Sequence, residues 1–258
     1  MKQFEYVVYG ALLASASSMA ACIDDPADGD LAIATLEAEL QESPPTATAD
    51  APATATGTGS GGFIDACQLP GMTRVAFNPI GGFDAHDEGV SAALSLPFPF
   101  VLRDTAQAKF WITTNGQIGF SSAPGGSMFG RVTCPLPDSA FSAPVLFAYS
   151  GDLVGRLDGG AGVCYATTGT APNRKVVVTW KDSFFYEAWL TSHVTFSATL
   201  NEGTNVMDVA IDRVDAPTLT EFESGYATAL GAQAGGVVQS YSCYQPRAPA
   251  GTIAHFHL

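Results

Sequence analysis

The side chains best suited to chemistry in this chain are its histidines and two groups of carboxylates. Histidine ordinarily titrates near neutral pH, so it supplies the first candidates for a general base or a metal ligand. His193 falls on the polar face of a predicted strand, where solvation is the expected outcome. His255 and His257 lie two residues apart and therefore point to one face of a terminal strand. Imidazole suits Zn, Cu or Ni, but a metal site needs a third ligand, and we predict no metal here.

One carboxylate group is the acid-rich loop GFDAHDEG, which contains Asp84, Asp87 and Glu88. Hard oxygen ligands of this kind are those that Ca²⁺ prefers. The spacing of the acids does not match an EF-hand loop, so we interpret the segment as a solvated loop between strands. Ca²⁺ binding at this loop is the alternative, and no other cofactor is predicted.

The second carboxylate group is Asp182 and Glu187, which bracket a cluster of large aromatic side chains: Phe184, Phe185 and Tyr186, with Trp189 close by. Glycoside hydrolysis requires two carboxyl groups roughly 5–9 Å apart across a cleft. We favour packing of this segment over the end of a sheet, with a glycan or protein contact surface and an enzymatic cleft as alternatives. The segment 181–190 is nevertheless the best functional candidate, because loops on a rigid scaffold carry recognition.

Catalytic signatures do not accompany these residues. The sequence has no G-x-S-x-G elbow, no H-E-x-x-H pair, no P-loop and no dinucleotide-binding glycine pattern after a strand. We therefore assign no catalytic residue and favour a binding role over an enzymatic one. The predicted domain has sixteen acidic and ten basic residues without a Lys/Arg cluster, which argues against a nucleic-acid partner.

The elements that must position these residues are predicted to be short strands. Apolar and polar residues alternate over 193–200 and over 207–212, and the turn residues between these runs indicate a hairpin. A tighter hairpin with a type I′ turn is expected at Asn115 and Gly116. Further strands are expected at 72–78, 90–96, 98–103, 144–150, 162–167, 174–181, 226–233, 236–242 and 251–257. No stretch has a helical stripe of three turns, so the pattern predicts an all-β, antiparallel sandwich of the jelly-roll kind.

Several of these runs resemble one family of extracellular domains. They are LPFPF at 96–100, FWITTNGQIGF at 110–120, APVLF at 143–147, DL at 152–153, GVCY at 162–165, TGTAPNR at 168–174, VVVTW at 176–180 and the hairpin at 195–211. Together they are similar to nidogen-like extracellular β-sandwich domains of secreted bacterial proteins. The resemblance implies adhesion or matrix contact and not chemistry. Where that family often has Trp-x-Asp-Asp-Leu, this chain has YSGDL at 149–153, with one of the two acids.

The N-terminus has the pattern of an export signal. Lys2 opens a short polar stretch, residues 7–21 are apolar or small, and the segment ends in MAAC. The apolar run is shorter than a membrane-spanning helix needs. Residues 1–21 therefore resemble the signal peptide of a bacterial lipoprotein, with Cys22 as the lipid-attachment residue. The alternative is ordinary cleavage near Ala21, which leaves Cys22 as a free thiol.

The other cysteines form an even set of four: Cys67, Cys134, Cys164 and Cys243. Because exported proteins retain disulfides, two bridges are expected. Four cysteines allow three connectivities, and the sequence does not select one. Our preference pairs Cys134 with Cys164 across one loop and Cys67 with Cys243 across the ends of the domain.

Composition divides the mature chain at about residue 62. Residues 23–62 contain eight acids, no Lys or Arg and no aromatic residue, and they are rich in Pro, Ala, Thr and Gly. Such chains cannot bury enough apolar surface to offset the entropy of ordering, so residues 22–62 are predicted to be a disordered tether. The remaining 196 residues, 63–258, are enough for one domain with its own core.

These features predict a cell-envelope lipoprotein that displays a disulfide-bonded β-sandwich as a binding or adhesion module. Its expected partners are the membrane, through an N-terminal lipid, and a surface protein or glycan of unknown identity. The expected location is the outer membrane or the cell surface, or outside the cell if Cys22 carries no lipid. The alternative function is a secreted carbohydrate-active domain, either lectin-like or a glycoside hydrolase, on a jelly roll.

Overall fold

Antiparallel strands make up nearly all of the regular structure in residues 62–124, 130–156, 160–189 and 191–258, which the computed structural model describes. The predicted all-β fold class is therefore confirmed. The predicted signal peptide and Cys22, and the tether up to residue 61, lie outside the described residues. No helix in the described ranges is long and apolar enough to cross a bilayer.

The strands are short and follow one another closely along the chain. They are β1 (Thr73–Arg74), β2 (Phe77–Pro79), β3 (Gly89–Ser91), β4 (Leu94–Leu102), β5 (Thr105–Ile112), β6 (Gln117–Phe120), β7 (Val145–Ser150), β8 (Leu153–Val154), β9 (Gly162–Thr168), β10 (Lys175–Phe185), β11 (His193–Asn201), β12 (Met207–Asp215), β13 (Ala229–Ala234), β14 (Val237–Cys243) and β15 (Ile253–Phe256). Short 3₁₀ turns lie at Ala66–Gln68, Tyr186–Ala188 and Thr220–Ser224. The hairpin predicted between 193 and 212 is formed by β11 and β12.

Two large sheets form the sandwich. One has the order β1-β9-β10-β11-β12-β15, with β8 paired to the end of β10. The other has the order β14-β13-β7-β6-β5-β4, and β2 pairs with β3 in a separate ribbon. Alternate residues of both sheets point inward, so one apolar core lies between them.

The centre of this core is the ring of Trp180 on β10. It stacks on Phe196 of the neighbouring strand, with ring centroids 4.7 Å apart. Its indole nitrogen Nε1 donates a hydrogen bond of 2.8 Å to the carbonyl of Thr113, which directly follows β5 of the opposite sheet. Because a buried indole N–H needs an acceptor, this bond fixes the position of the two sheets relative to each other at this point.

Several strands are buried on both faces because loops cover the outside of the sandwich. In β7, Leu146 and Ala148 face the central core, whereas Val145 and Phe147 pack outward. The outward pair contacts apolar residues of the loop between β6 and β7, namely Val132, Leu136 and Phe141. Residues near the start of the domain cover the outer face of β10 in the same way. There, Val177 of β10 packs in a small apolar cluster with Ala66 and Cys67. These covered faces explain the continuous apolar run at 145–148.

The segment 94–102 forms one strand, where two strands at 90–96 and 98–103 were expected. Pro97 and Pro99 lie within this strand, although proline has no N–H to donate to a ladder. However, β4 lies at the edge of its sheet, where one side of the strand needs no ladder partner. The pairing with β5 is irregular between Ser95 and Phe100, which accommodates both prolines.

The turn between β5 and β6 is buried and is not of the predicted type I′. A type I′ turn needs positive φ angles at both central residues. Gly116 has a φ of 76°, but Asn115 does not have a positive φ. The N–H of Thr113 donates to the Gln117 carbonyl, so the loop contains three residues and not two. The prediction of a turn was correct, whereas its type was wrong.

The two disulfides join Cys67 to Cys164 and Cys134 to Cys243. Our preferred pairing was therefore wrong, although the prediction of two bridges among these four cysteines is confirmed. The first bridge attaches the start of the domain to β9, beneath the residues that cover β10. The second attaches the loop after β6 to the end of β14. Both bridges thus fasten covering segments to the outside of the sheets, which spacing along the chain does not reveal.

The environment of Gly116 leads to a stability prediction. A Cβ atom at this position would lie 2.7 Å from the Tyr149 carbonyl oxygen and 3.1 Å from the Phe196 ring. Gly116→Ala should therefore lower the free energy of unfolding by roughly 2–4 kcal/mol, from backbone strain together with the overlap. Gly235→Ala is the matched control, because Gly235 also has a positive φ of 53°, but a Cβ atom there would have no neighbour within 4 Å. Equal losses for the two variants in urea unfolding would contradict the prediction.

Candidate functional site

The aromatic segment at the end of β10 is divided between the core and the surface. Phe184 and Phe185 are buried, with 3% and 0% of their surface exposed. Tyr186 and Trp189, in and just after the 3₁₀ turn, are 50% and 54% exposed. Packing over the sheet end, the favoured interpretation, therefore describes Phe184 and Phe185. Tyr186 and Trp189 remain exposed and are available for contact with a partner.

Contacts within this segment hold the exposed rings in fixed positions. The Trp189 ring packs edge to face on Phe184 at 5.0 Å and on Tyr186 at 5.7 Å. The guanidinium of Arg156 lies over Phe184, 5.1 Å from the ring centre. Phe185 packs on Phe222 at 5.0 Å, inside the core. Trp189 is thus positioned by the buried Phe184 ring, and Tyr186 is positioned by Trp189.

A cluster of three carboxylates lies beside this segment. Oxygen atoms of Asp87, Glu88 and Asp152 all lie within 4.8 Å of one another. Asp87 and Glu88 come from the acid-rich loop before β3, and Asp152 comes from the turn between β7 and β8. The N–H of Tyr186 donates to the Asp152 carbonyl at 2.9 Å, so the carboxylates and the aromatic turn form one site.

The side chain of Asn115 assembles this cluster. Its Nδ2 donates to Glu88 Oε2 at 2.9 Å, and its Oδ1 accepts from the N–H of Leu153 at 2.8 Å. Asn115 and Glu88 are both buried, with 1% and 0% of their surface exposed. One amide therefore connects the acid-rich loop, the β5–β6 turn and the β7–β8 turn.

The turn that carries Asp152 has little freedom. Tyr149 has a φ of 104°, a left-handed conformation that is strained for a residue with a side chain. Gly151 packs closely, since a Cβ there would lie 2.9 Å from the Ala227 carbonyl oxygen. Gly151 occupies the place of the first acid in the Trp-x-Asp-Asp-Leu pattern. The second carboxylate at this site comes instead from Asp87, on a different loop.

The electrostatic environment of Asp152 disfavours its charged form. Burial, followed by repulsion from the Glu187 and Asp87 carboxylates, raises the pKa of Asp152 to about 7, although Arg131 acts in the opposite direction. Burial and the neighbouring Asp84 also raise the pKa of Asp87. Buried Oδ1 atoms of Asp87 and Asp152 accept no hydrogen bond from any described residue. The site therefore has an excess of negative charge that a bound cation or a proton would compensate.

Two neighbouring cavities open at this position, with volumes of about 510 and 460 Å³. They share Arg131, Asp152 and Glu187 as walls. We call the combined space the acidic cleft; its charged and exposed aromatic walls are Phe83, Asp87, Arg131, Asp152, Tyr186, Glu187 and Tyr226. Arg131 is the one basic residue among these described walls. Asp87 and Asp152 are partly buried in this cleft, whereas Glu187 and the rings of Phe83, Tyr186 and Tyr226 are exposed.

The other predicted residues lie elsewhere. Asp84 is exposed, and its carboxylate accepts the His86 N–H at 2.8 Å, so it caps the loop without joining the three clustered carboxylates. Asp182 pairs with His193, with Nδ1 and Oδ1 2.6 Å apart, and lies near Arg156 and Arg213. It does not line the acidic cleft with Glu187.

The two C-terminal histidines have separate surroundings. His255 Nδ1 lies 2.6 Å from Asp208 Oδ1, whereas His257 is exposed and its backbone N–H donates to Gln239. Neither belongs to a metal-sized group among the described residues. Asp87, Glu88 and Asp152 form a group that could hold an ion such as Ca²⁺, which takes carboxylate oxygens.

Sequence reasoning identified part of this site and missed the rest. It named Asp87, Glu88 and Tyr186, but it treated Asn115 as a turn residue and did not consider Arg131. Asp152 entered only as the single acid that remained in the YSGDL run. In the sequence, the only signal that Asp152 belongs to the site was its position as the one acid kept in this run, directly before Leu153.

Comparison with known proteins gives one match. A family model described as NIDO related matches residues 70–254, which include every strand of both large sheets except the last residues of β15. No curated protein and no solved structure matches the chain. The matched domain is of an extracellular type, and the chain has two disulfides. Both features indicate a secreted or extracellular protein.

The raised pKa of Asp152 leads to a pH-dependent stability prediction. Between its ordinary value of 3.8 and about 7, the folded chain binds a proton that the unfolded chain does not. The free energy of unfolding should therefore decrease as the pH rises through this range. Asp152→Asn removes this titration, so it should stabilise the fold at pH 8 by roughly 1 kcal/mol after solvent screening, and by less at pH 5.

Urea unfolding at both pH values, with a chelator present, measures this effect. The exposed Asp212→Asn on β12 is the matched control and should keep the pH dependence of the unsubstituted chain. A destabilised Asp152→Asn at pH 8 would show that the carboxylate makes net favourable contacts, contrary to the prediction.

Proposed function

The chain belongs to the NIDO-related family, and on that premise we propose that it is a cell-envelope lipoprotein whose β-sandwich binds a partner outside the cell. In this proposal, Cys22 carries the lipid, residues 22–62 form the spacer, and residues 63–258 form the binding module. The order of anchor, spacer and folded domain suits adhesion, because the spacer allows the domain to reach beyond the membrane surface.

The observation that supports a binding role is the exposed pair Tyr186 and Trp189. Both rings are about half exposed; Trp189 packs on the buried Phe184 at the end of the longest strand, and Tyr186 packs on Trp189. Aromatic side chains with few rotatable bonds are typical anchors of protein and glycan interfaces. A surface of this kind beside a cleft favours recognition over a purely structural role.

The lipid anchor is tested at the mature N-terminus. When the full chain is expressed in a bacterial host, mass spectrometry should find an N-terminal Cys22 with a diacylglyceryl group, and the protein should enter the detergent phase on extraction. Cys22→Ser should shift it to the aqueous phase. An unmodified start near Ala21 in the unsubstituted chain would replace the lipoprotein by a freely secreted protein.

The binding role is tested with the full chain on arrays of glycans and matrix proteins. Tyr186→Ala and Trp189→Ala should each weaken binding to a captured partner by about tenfold or more, since each removes a ring at the contact. Met72→Ala removes an exposed apolar residue away from the cleft and should leave binding unchanged. Phe185→Ala should instead unfold or destabilise the domain, because that ring is fully buried.

The array also tests the alternative function. Absence of any partner would contradict the binding role. Turnover of a bound glycan would support a carbohydrate-active domain, with the cleft carboxylates as the groups to substitute next.

A further inference from the structure

We propose that the Cys134–Cys243 disulfide is a thiol-exchange site, and that its reduction by a dithiol releases one wall of the acidic cleft. This inference goes beyond the proposed function, because it concerns the covalent state of the domain and holds for any partner that the domain binds. Three features carry it: the unequal exposure of the two bridges, the charge beside this bridge, and the contacts of the segment that the bridge holds.

The two disulfides differ in their access to solvent. Cys67 and Cys164 are 9% and 0% exposed and lie in an apolar cluster against β10. Cys134 and Cys243 are both partly exposed, and they line a surface groove with a volume of about 390 Å³. Disulfide exchange requires a thiolate to reach one of the two sulfur atoms, so exchange is favoured at the second bridge.

The groove beside this bridge has the charge that attracts a thiolate. Arg247 is exposed and is the one charged residue among the described walls of the groove; other walls, such as Ser240, Tyr241 and Gln245, are neutral. The thiolate is the attacking form of a thiol, and it is an anion. The domain as a whole has sixteen acidic and ten basic residues, so its net charge repels a thiolate, whereas Arg247 attracts one to the bridge.

The exchange step is balanced with a dithiol as the reductant. One thiolate of the dithiol attacks a sulfur of the bridge, the Cys134–Cys243 bond breaks, and a mixed disulfide and a cysteine thiolate form. The second thiolate of the dithiol then attacks the mixed disulfide and displaces the other cysteine. The bridge gains two electrons, the dithiol loses two and becomes a disulfide, and the two protons of the dithiol pass to Cys134 and Cys243.

The bridge joins two segments that form one wall of the acidic cleft. Thr133 and Tyr244, each adjacent to one of the two cysteines, line the larger cavity of the cleft together with Arg131. The N–H of Val132 donates to the Tyr244 hydroxyl at 2.9 Å between the same segments. Tyr244 has a φ of 50°, a left-handed conformation that is unfavourable for a residue with a side chain. Reduction of the bridge therefore allows a strained residue of the cleft wall to relax.

The part of the loop that follows this wall is held independently of the bridge. Gln233 of β13 accepts the Asp138 N–H at 2.8 Å through Oε1. Its Nε2 donates to the carbonyls of Asp138 and Phe141 at 2.9 and 3.0 Å. Three hydrogen bonds from one buried side chain thus keep this part of the loop on the sheet when the bridge opens.

The segment 131–134 is held more weakly. Besides the bridge, its contacts are the Val132 side chain in a small apolar cluster and the hydrogen bonds from the N–H groups of Val132 and Thr133. Reduction should therefore loosen this segment alone. Arg131 then leaves its fixed position, and the cleft loses the one basic group among its described walls.

Limited reduction of the folded full chain tests the exchange site. The chain is incubated with dithiothreitol at neutral pH without denaturant, and free thiols are alkylated with N-ethylmaleimide at successive times. Mass spectrometry assigns the label to each cysteine, so that Cys22 is scored separately. Cys134 and Cys243 should be labelled together, about tenfold faster or more than Cys67 and Cys164. Equal rates for the two bridges, or faster labelling of Cys67 and Cys164, would overturn the proposal.

Arg247→Gln tests the role of charge in the groove. Without the guanidinium, the thiolate loses its local attraction, so reduction of the bridge at low ionic strength should slow by about threefold. Lys109→Gln is the matched control, because it removes an exposed positive charge from β5, which lies four strands from β14, roughly 19 Å at the usual strand spacing. The control should be reduced at the original rate. An unchanged rate in Arg247→Gln would show that exchange does not occur through this groove.

Hydrogen exchange of the double variant Cys134→Ser/Cys243→Ser tests the release of the wall. The amides of Val132 and Thr133 should exchange about tenfold faster or more than in the unsubstituted chain. The amides of Asp138 and of β10 and β11 should exchange as before, which shows that the sandwich persists. The same measurement on the chain reduced by dithiothreitol makes the test independent of the serine substitutions. Unchanged exchange at Val132 and Thr133, or a uniform increase along the whole domain, is the result that contradicts control of this wall by the bridge.

Discussion

The side-chain amide of Asn115 is the contact on which the candidate site depends. It is buried in the β5–β6 turn, and it joins the Glu88 carboxylate to the backbone of Leu153. Two contacts fix the turn that carries Asn115: Gly116 packs against Tyr149, and the carbonyl of Thr113 accepts the indole hydrogen of Trp180. The same elements that fix the two sheets therefore fix the carboxylates, and the site inherits the rigidity of the core.

That rigidity comes at a cost in stability at the site itself. Fully buried carboxylates are rare, yet Glu88 is inaccessible to solvent, and two carboxylate oxygens beside it have no donor among the described residues. Backbone strain at Tyr149 adds to the cost. Unfavourable features of this kind cluster at functional sites, where a ligand restores the balance.

Most of the fold could be predicted from the sequence, and most of the site could not. Period-two alternation located β10, β11 and β12, because one face of each points to a common core. The proline-containing strand β4 and the turn at Asn115 were misread in detail, since edge position and burial are properties of the assembled sheet. Likewise, nothing local connects Asp152 with Asp87, which are distant in sequence and meet through the β5–β6 turn.

The sequence by itself determined the all-β class, most of the strand positions, the family resemblance and the presence of two disulfides, because these follow from local patterns and from counting. Only the tertiary structure decided which cysteines pair, which aromatic residues of 184–189 are exposed and which acids converge. These outcomes depend on how loops fold back over the sheets, and loop paths are set by contacts between residues far apart in the chain. Alternation along a strand records which face is buried, but it carries no information about what covers that face.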